Sequence, residues 1–199
     1  MSFLRSVFSV SALSIVGRIT GYMRDFLLAH LIGANATSDA ISLAIKIPSF
    51  FRRIFAEGAL NVSFLPAYTH TNKSKIFAGM VLSLLTCTLA LLVCVLEWYY
   101  VPMVEFFWSG YPSETLGYLK KFGPIIFPYI FFISLASFFG SILNAHSQFF
   151  ATSISSAMGN ISTLVFVLIF CIWTKQYGLV FSWGLLLSGV TQFIFLFLI

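Results

Sequence analysis

The sequence predicts an all-α integral membrane protein, a six-helix transmembrane bundle forming a single body. Hydrophobic residues make up 59% of the 199 and charged residues only 9%, against roughly 25% charge in an average soluble domain. Mean hydropathy is +0.98. The apolar runs are long and continuous, without the roughly ten-residue alternation of outer-membrane strands, and a helix satisfies its own backbone polar groups in lipid. At about 20 residues per span the chain holds about six helices and short loops, with no room for a soluble domain.

The spans fall at 4–32, 39–68, 76–100, 116–145, 154–173 and 180–199. In the first, Arg5 precedes an apolar stretch at 7–16 that has the look of a signal peptide, but the charge-rich continuation and five later spans make it the first helix. Polar and glycine-containing turns at 33–38, 70–75, 109–114, 146–153 and 174–178 separate the rest, so an up-and-down bundle is the economical arrangement. Trp98, Tyr99, Tyr100, Trp108, Tyr111, Trp173 and Tyr177 mark the ends of the third and fifth spans as one interface. Loop charges leave the direction open: Arg5, Lys73 and Lys75 lie on one side, Lys120, Lys121 and Lys175 on the other.

The first two spans are unlike the others. They carry Arg18, Arg24, Asp25, Asp39, Lys46, Arg52, Arg53 and Glu57. Each ionisable group in hydrocarbon costs about 3 kcal/mol on insertion scales, so these must pair, line a wet cavity or do both. Asp39, Lys46 and Arg53 recur every seventh residue, with Glu57 four beyond, which sets all four near one helix face. Arg18 and Asp25 share a face in the same way. Gly17 and Gly21 form a small-xxx-small pair that lets a neighbouring helix approach or the helix bend, and Pro48 removes a backbone donor from the second span; all three are predicted helix breaks.

Two readings of these charges compete. One is an internal ion-pair network holding two helices in register. The other is an anionic ligand at membrane depth, favoured because five cations face three anions and four of the five are arginine, whose planar fork suits bidentate contact with phosphate or pyrophosphate. Asn144 and Asn160 are candidates for head-group contact or interhelical bonding.

Other chemistry has little support. The net charge of +5 is scattered through apolar helices, which argues against nucleic acid. Cys87, Cys94 and Cys171 are odd in number and lack CxxC spacing, so they read as buried, inert thiols. His30, His70 and His146 have no metal spacing, and no nucleophile and base pair or glycine-rich phosphate loop is present. No cofactor or metal is expected, and an enzyme is the disfavoured class.

Three motifs connect the chain with a known family. Gly17-Arg-Ile-Thr-Gly-Tyr-Met-Arg-Asp25, then Ile32-Gly-Ala with Ser38-Asp-Ala40, then Ile47-Pro-Ser-Phe-Phe-Arg-Arg-Ile-Phe-Ala-Glu-Gly-Ala59 followed by Ser63-Phe-Leu-Pro66, closely resemble the MurJ (MviN) family of lipid II flippases. Phe127-Pro-Tyr-Ile130, Ser134-Leu-Ala-Ser137 and Ile142-Leu-Asn144 resemble its fourth helix.

The resemblance implies one lobe of a two-lobe flippase of the multidrug/oligosaccharidyl-lipid/polysaccharide exporter superfamily, in the bacterial inner membrane with a cytoplasmic N-terminus. It implies movement of the undecaprenyl-pyrophosphate-linked peptidoglycan precursor, lipid II, from the cytoplasmic to the periplasmic leaflet. Arg18, Arg24 and Arg52 correspond to the pyrophosphate-binding arginines, and Asp25, Asp39, Arg53 and Glu57 to gate or ion-pair positions. Family members have about fourteen spans, so residues 1–199 read as the first lobe alone. A truncated chain, a split protein with a separate C-terminal lobe, and self-association are the three explanations. The competing functions are an exporter of another polyprenyl-linked saccharide or drug, and a non-transporting membrane scaffold or inactive fragment.

Overall fold

The computed structural model describes residues 2–54, 64–70 and 74–199, with side chains for all of these except 2–10, 52 and 65. The predicted roles of Glu57 and of the Arg52 side chain, and the 55–63 part of the predicted second span, lie outside the described residues. Among those described, every regular element is a helix.

Helix α1 (Ser2–Ile32) ends where Gly33 takes φ +74°, a left-handed conformation that a side chain would strain. Asn35 then caps α2 (Ala36–Arg52), accepting from the Thr37 and Ser38 N–H groups at 2.9 and 3.2 Å. The Ser38 hydroxyl receives the Asn35 N–H in return at 3.2 Å, which closes a capping box and shortens the predicted 33–38 turn to three residues. After α2 come α3 (Leu65–His70), α4 (Ser74–Trp98) and α5 (Tyr100–Phe107).

The predicted span 116–145 is two helices, α6 (Ser113–Ile126) and α7 (Tyr129–Ala145). Pro128 sits between them without an N–H to continue the ladder, yet the pair reads as one 33-residue membrane-length unit. A three-residue turn containing Ser147 at φ 61° leads into α8 (Phe149–Cys171), five residues ahead of the predicted boundary. Helix α9 (Tyr177–Leu198) completes the described chain.

Among the described residues, four units are long and apolar enough to cross a membrane: Ser74–Trp98, Ser113–Ala145, Phe149–Cys171 and Tyr177–Leu198. Helices α1 and α2 are not among them. The first is long but interrupted by charge, and the second has 17 described residues, short of the roughly 20 that a span requires.

Helix α9 is central, packed on α8, α7 and α6. Small residues allow the approach: the Thr163 hydroxyl donates to the Gly184 carbonyl at 3.0 Å across the α8–α9 seam, and a Cβ on Gly189 would meet Tyr129 at 2.7 Å. Beside this seam Tyr100 is 2% exposed, lying over Gly123 and donating to the Leu119 carbonyl at 2.8 Å. Only a glycine leaves room for that ring.

Helix α4 lies outermost, its main helical neighbour being α7. Cys87 and Cys94 are exposed on it, alongside Leu84 and Leu91, which corrects the reading of these thiols as buried. An apolar helix face in a membrane protein can be turned to lipid as readily as to the core.

Candidate functional site

Helix α1 packs on α8 and α2 packs on α6 and α7, while α1 and α2 scarcely touch. The two charge-bearing helices are therefore held apart by different supports. Between them lies a cleft of about 100 Å³, walled by Arg24 of α1 and by Ile45, Pro48 and Ser49 of α2, with Ile126, Tyr129 and Leu185 behind.

Gly17 and Gly21 create the α1–α8 contact. Their Cβ positions face Ser156 at 3.8 Å and Asn160 at 3.4 Å, and α1 continues unbroken through both. Helix α2 likewise continues through Pro48. The three predicted breaks are thus packing positions within continuous helices: the glycines bring α8 close and Pro48 faces the cleft.

Asn160 fastens the seam. Its Nδ2 donates to the Gly17 carbonyl at 3.1 Å and to the Thr20 hydroxyl at 3.4 Å, while its Oδ1 accepts from Arg24 Nη1 at 3.2 Å. The rest of the Arg24 fork meets Asp25, with Nε and Nη2 both donating to Oδ1 at 3.0 and 2.8 Å. Arg24 is held at 26% side-chain exposure beside an Asp25 at 62%. A neighbour one residue away thus occupies the guanidinium edge best suited to a second bidentate acceptor.

The remaining predicted site residues are placed differently. Arg18, Asp39, Lys46 and Arg53 are exposed, so the seven-residue stripe on α2 does share one open face. Among the described side chains, the ion pairs are Arg24–Asp25 and Lys120–Glu105 at 2.8 and 2.6 Å. No salt bridge joins α1 to α2 among them, so an ion-pair network locking the two helices together finds no support there.

Sequence reasoning left the role of Asn160 open and passed over Ser49, Tyr129 and Leu185. The first had a signal, an amide in an otherwise apolar span; the others look like ordinary packing residues until the helices are assembled. Asn144 is a local partner, accepting from Thr152 at 3.3 Å, and His146 meets the Tyr68 hydroxyl at 3.2 Å.

Comparison with known proteins gives the same answer by three routes. The family model described as "Lipid II flippase MurJ" matches residues 28–199. "Probable lipid II flippase MurJ" of Buchnera aphidicola subsp. Baizongia pistaciae is 35% identical over 99% of this chain and 40% of its own length. The protein of that name from Rickettsia prowazekii is 29% identical over 100% of this chain and 40% of its own. Among solved structures, "Lipid II flippase MurJ, inward closed conformation" superposes with a TM-score of 0.80 at 28% identity, over 93% of this chain and 40% of that one. The chain spans about 40% of the length of the curated relatives it matches.

Proposed function

The chain belongs to the MurJ family of lipid II flippases, and from that premise we propose that it is the N-terminal lobe of such a flippase, carrying part of the site that moves lipid II from the cytoplasmic to the periplasmic leaflet. Helices α1 and α2 complete six spans with the four apolar units, and the bundle sits in the bacterial inner membrane with its N-terminus cytoplasmic. The work is transport, so no bond in the substrate is made or broken. A second lobe, or a second copy of this one, supplies the opposing wall against which alternating access operates.

One observation carries this reading: the cleft between α1 and α2 contains an arginine whose fork is held by an amide and a neighbouring carboxylate, next to a face of exposed cations that have no ion pair among the described residues. Arg18, Arg24 and Arg52 hold the pyrophosphate while the polyprenyl tail stays in lipid. Arg18 lies about 9 Å along the α1 axis from Arg24 and about 120° round it, so its long side chain reaches the phosphates from beside the cleft and not from its wall. Asp25 keeps a counter-charge on Arg24 while the site is empty and yields to the phosphate oxygens when it fills. Asp39, Arg53 and Glu57 form the gate, pairing across the two bodies as they rock.

Binding of a polyprenyl pyrophosphate to the purified chain in lipid nanodiscs tests this. Arg24→Ala is expected to weaken binding at least about tenfold, the loss of a charge-assisted hydrogen-bond pair, with helicity unchanged. Equal binding by wild type and variant would overturn the assignment.

A further inference from the structure

At the far end of the bundle from the α1 N-terminus, a second cavity of about 490 Å³ opens between the α1–α2 turn, α6 and the start of α9. Its charged lining is of one sign. Lys121 of α6 and Lys175 of the α8–α9 connection both line it, and no carboxylate lies within 4.0 Å of either among the described residues. Lys120, adjacent in sequence, is instead paired with Glu105 at 2.6 Å.

The remainder of the lining is amphipathic. Tyr118, Thr37 and Gln176 supply polar groups, while Leu31, Phe122 and Leu179 supply apolar surface. Gly178 allows this wall to close, since a Cβ there would meet Phe122 and Thr37 at 2.6 Å. A wholly hydrated anion would gain nothing from the apolar half. A phosphate group attached to an acyl-bearing glycerol would use both halves.

We propose that the cavity lined by Lys121 and Lys175 is a binding site for the phosphodiester head group of an anionic phospholipid. The lysines act as point charges on the phosphate, the tyrosine, threonine and glutamine hydrogen-bond the glycerol or its ester, and the apolar wall receives the first acyl carbons. With the N-terminus cytoplasmic, as proposed above, the cavity lies on the periplasmic side, where loop lysines run against the usual charge bias; an anionic ligand accounts for their presence. Only this assignment of side rests on that orientation. The lipid class does not, because it follows from the lining.

The test is native mass spectrometry of the purified chain titrated with phosphatidylglycerol or phosphatidylcholine, with inorganic phosphate as competitor. Phosphatidylglycerol is expected to bind preferentially, about fivefold more weakly in Lys121→Gln or Lys175→Gln and about 25-fold more weakly in the double variant. Lys120→Gln is expected to match wild type, since its charge is already paired outside the cavity. The proposal fails if the double variant binds phosphatidylglycerol as wild type does, if Lys120→Gln loses as much as its neighbour, or if inorganic phosphate at low millimolar concentration displaces the lipid. Arg24→Ala is expected to leave this binding unchanged, which separates the site from the polyprenyl pyrophosphate cleft.

Discussion

The α1–α2 cleft and the seam where α7, α8 and α9 meet both place polar groups among apolar helices, and they dispose of them in opposite ways. In the seam several small hydroxyls bond backbone carbonyls of their own or the adjacent helix: Ser182 to Gly178 at 2.8 Å, Ser137 to Ile133 at 2.8 Å, Thr163 to Gly184 at 3.0 Å. Such bonds need no ligand and let helices approach closely. On the two helices that wall the cleft the groups are full charges: Arg24, in the cleft itself, is paired with Asp25, while Arg18, Asp39, Lys46 and Arg53 are exposed and without an ion pair among the described residues. The seam is arranged for stability; a charge left in hydrocarbon costs about 3 kcal/mol, a cost that the anion and water of the proposed site would remove.

Substitutions can break or sharpen that contrast. The largest effect is expected in the seam. A side chain on Gly159 would collide with Gln192 and come within 2.8 Å of the Ser188 hydroxyl, so Gly159→Leu should lower stability by about 3 kcal/mol or more, read as loss of monodispersity and of the thermal transition in detergent. Arg24→Ala should do the reverse, moving the thermal midpoint little while weakening polyprenyl pyrophosphate binding at least about tenfold. A large stability loss with binding intact would erase the distinction.

Asn160 links the two regions, since from α8 it fastens α1 and steadies Arg24. Asn160→Ala is expected to cost about 1 kcal/mol in stability and to weaken binding about fivefold, measured on one preparation by thermal unfolding and titration. The smallest effect belongs to Lys46, an exposed point charge on the α2 stripe. Lys46→Gln should weaken binding no more than about twofold, and the difference should vanish as salt rises.

Much of this was legible before the helices were assembled. Periodicity placed Asp39, Lys46 and Arg53 on one face, and all three are exposed together; Asn35 and Gly33 marked the α1–α2 turn. What stayed hidden depended on which helix neighbours which. Gly17 and Gly21 fit equally well with a bend or a contact until α8 is seen against them. Cys87 and Cys94 sit in an apolar stretch that is no different in composition from a core helix, and only the outer position of α4 leaves them exposed. Pro128 splits a predicted single span because apolar composition is blind to a missing N–H.

The central claim is that the α1–α2 cleft is wet and grips a diphosphate. Ser49 lines it opposite Arg24, so Ser49→Cys in a background with Cys87, Cys94 and Cys171 replaced by serine provides a direct probe in reconstituted membranes. A charged, membrane-impermeant maleimide should label that cysteine, and polyprenyl pyrophosphate should slow labelling about tenfold or more while phosphatidylcholine does not. A cysteine that stays unlabelled in a folded protein, or one labelled at the same rate with and without the pyrophosphate lipid, would contradict the account.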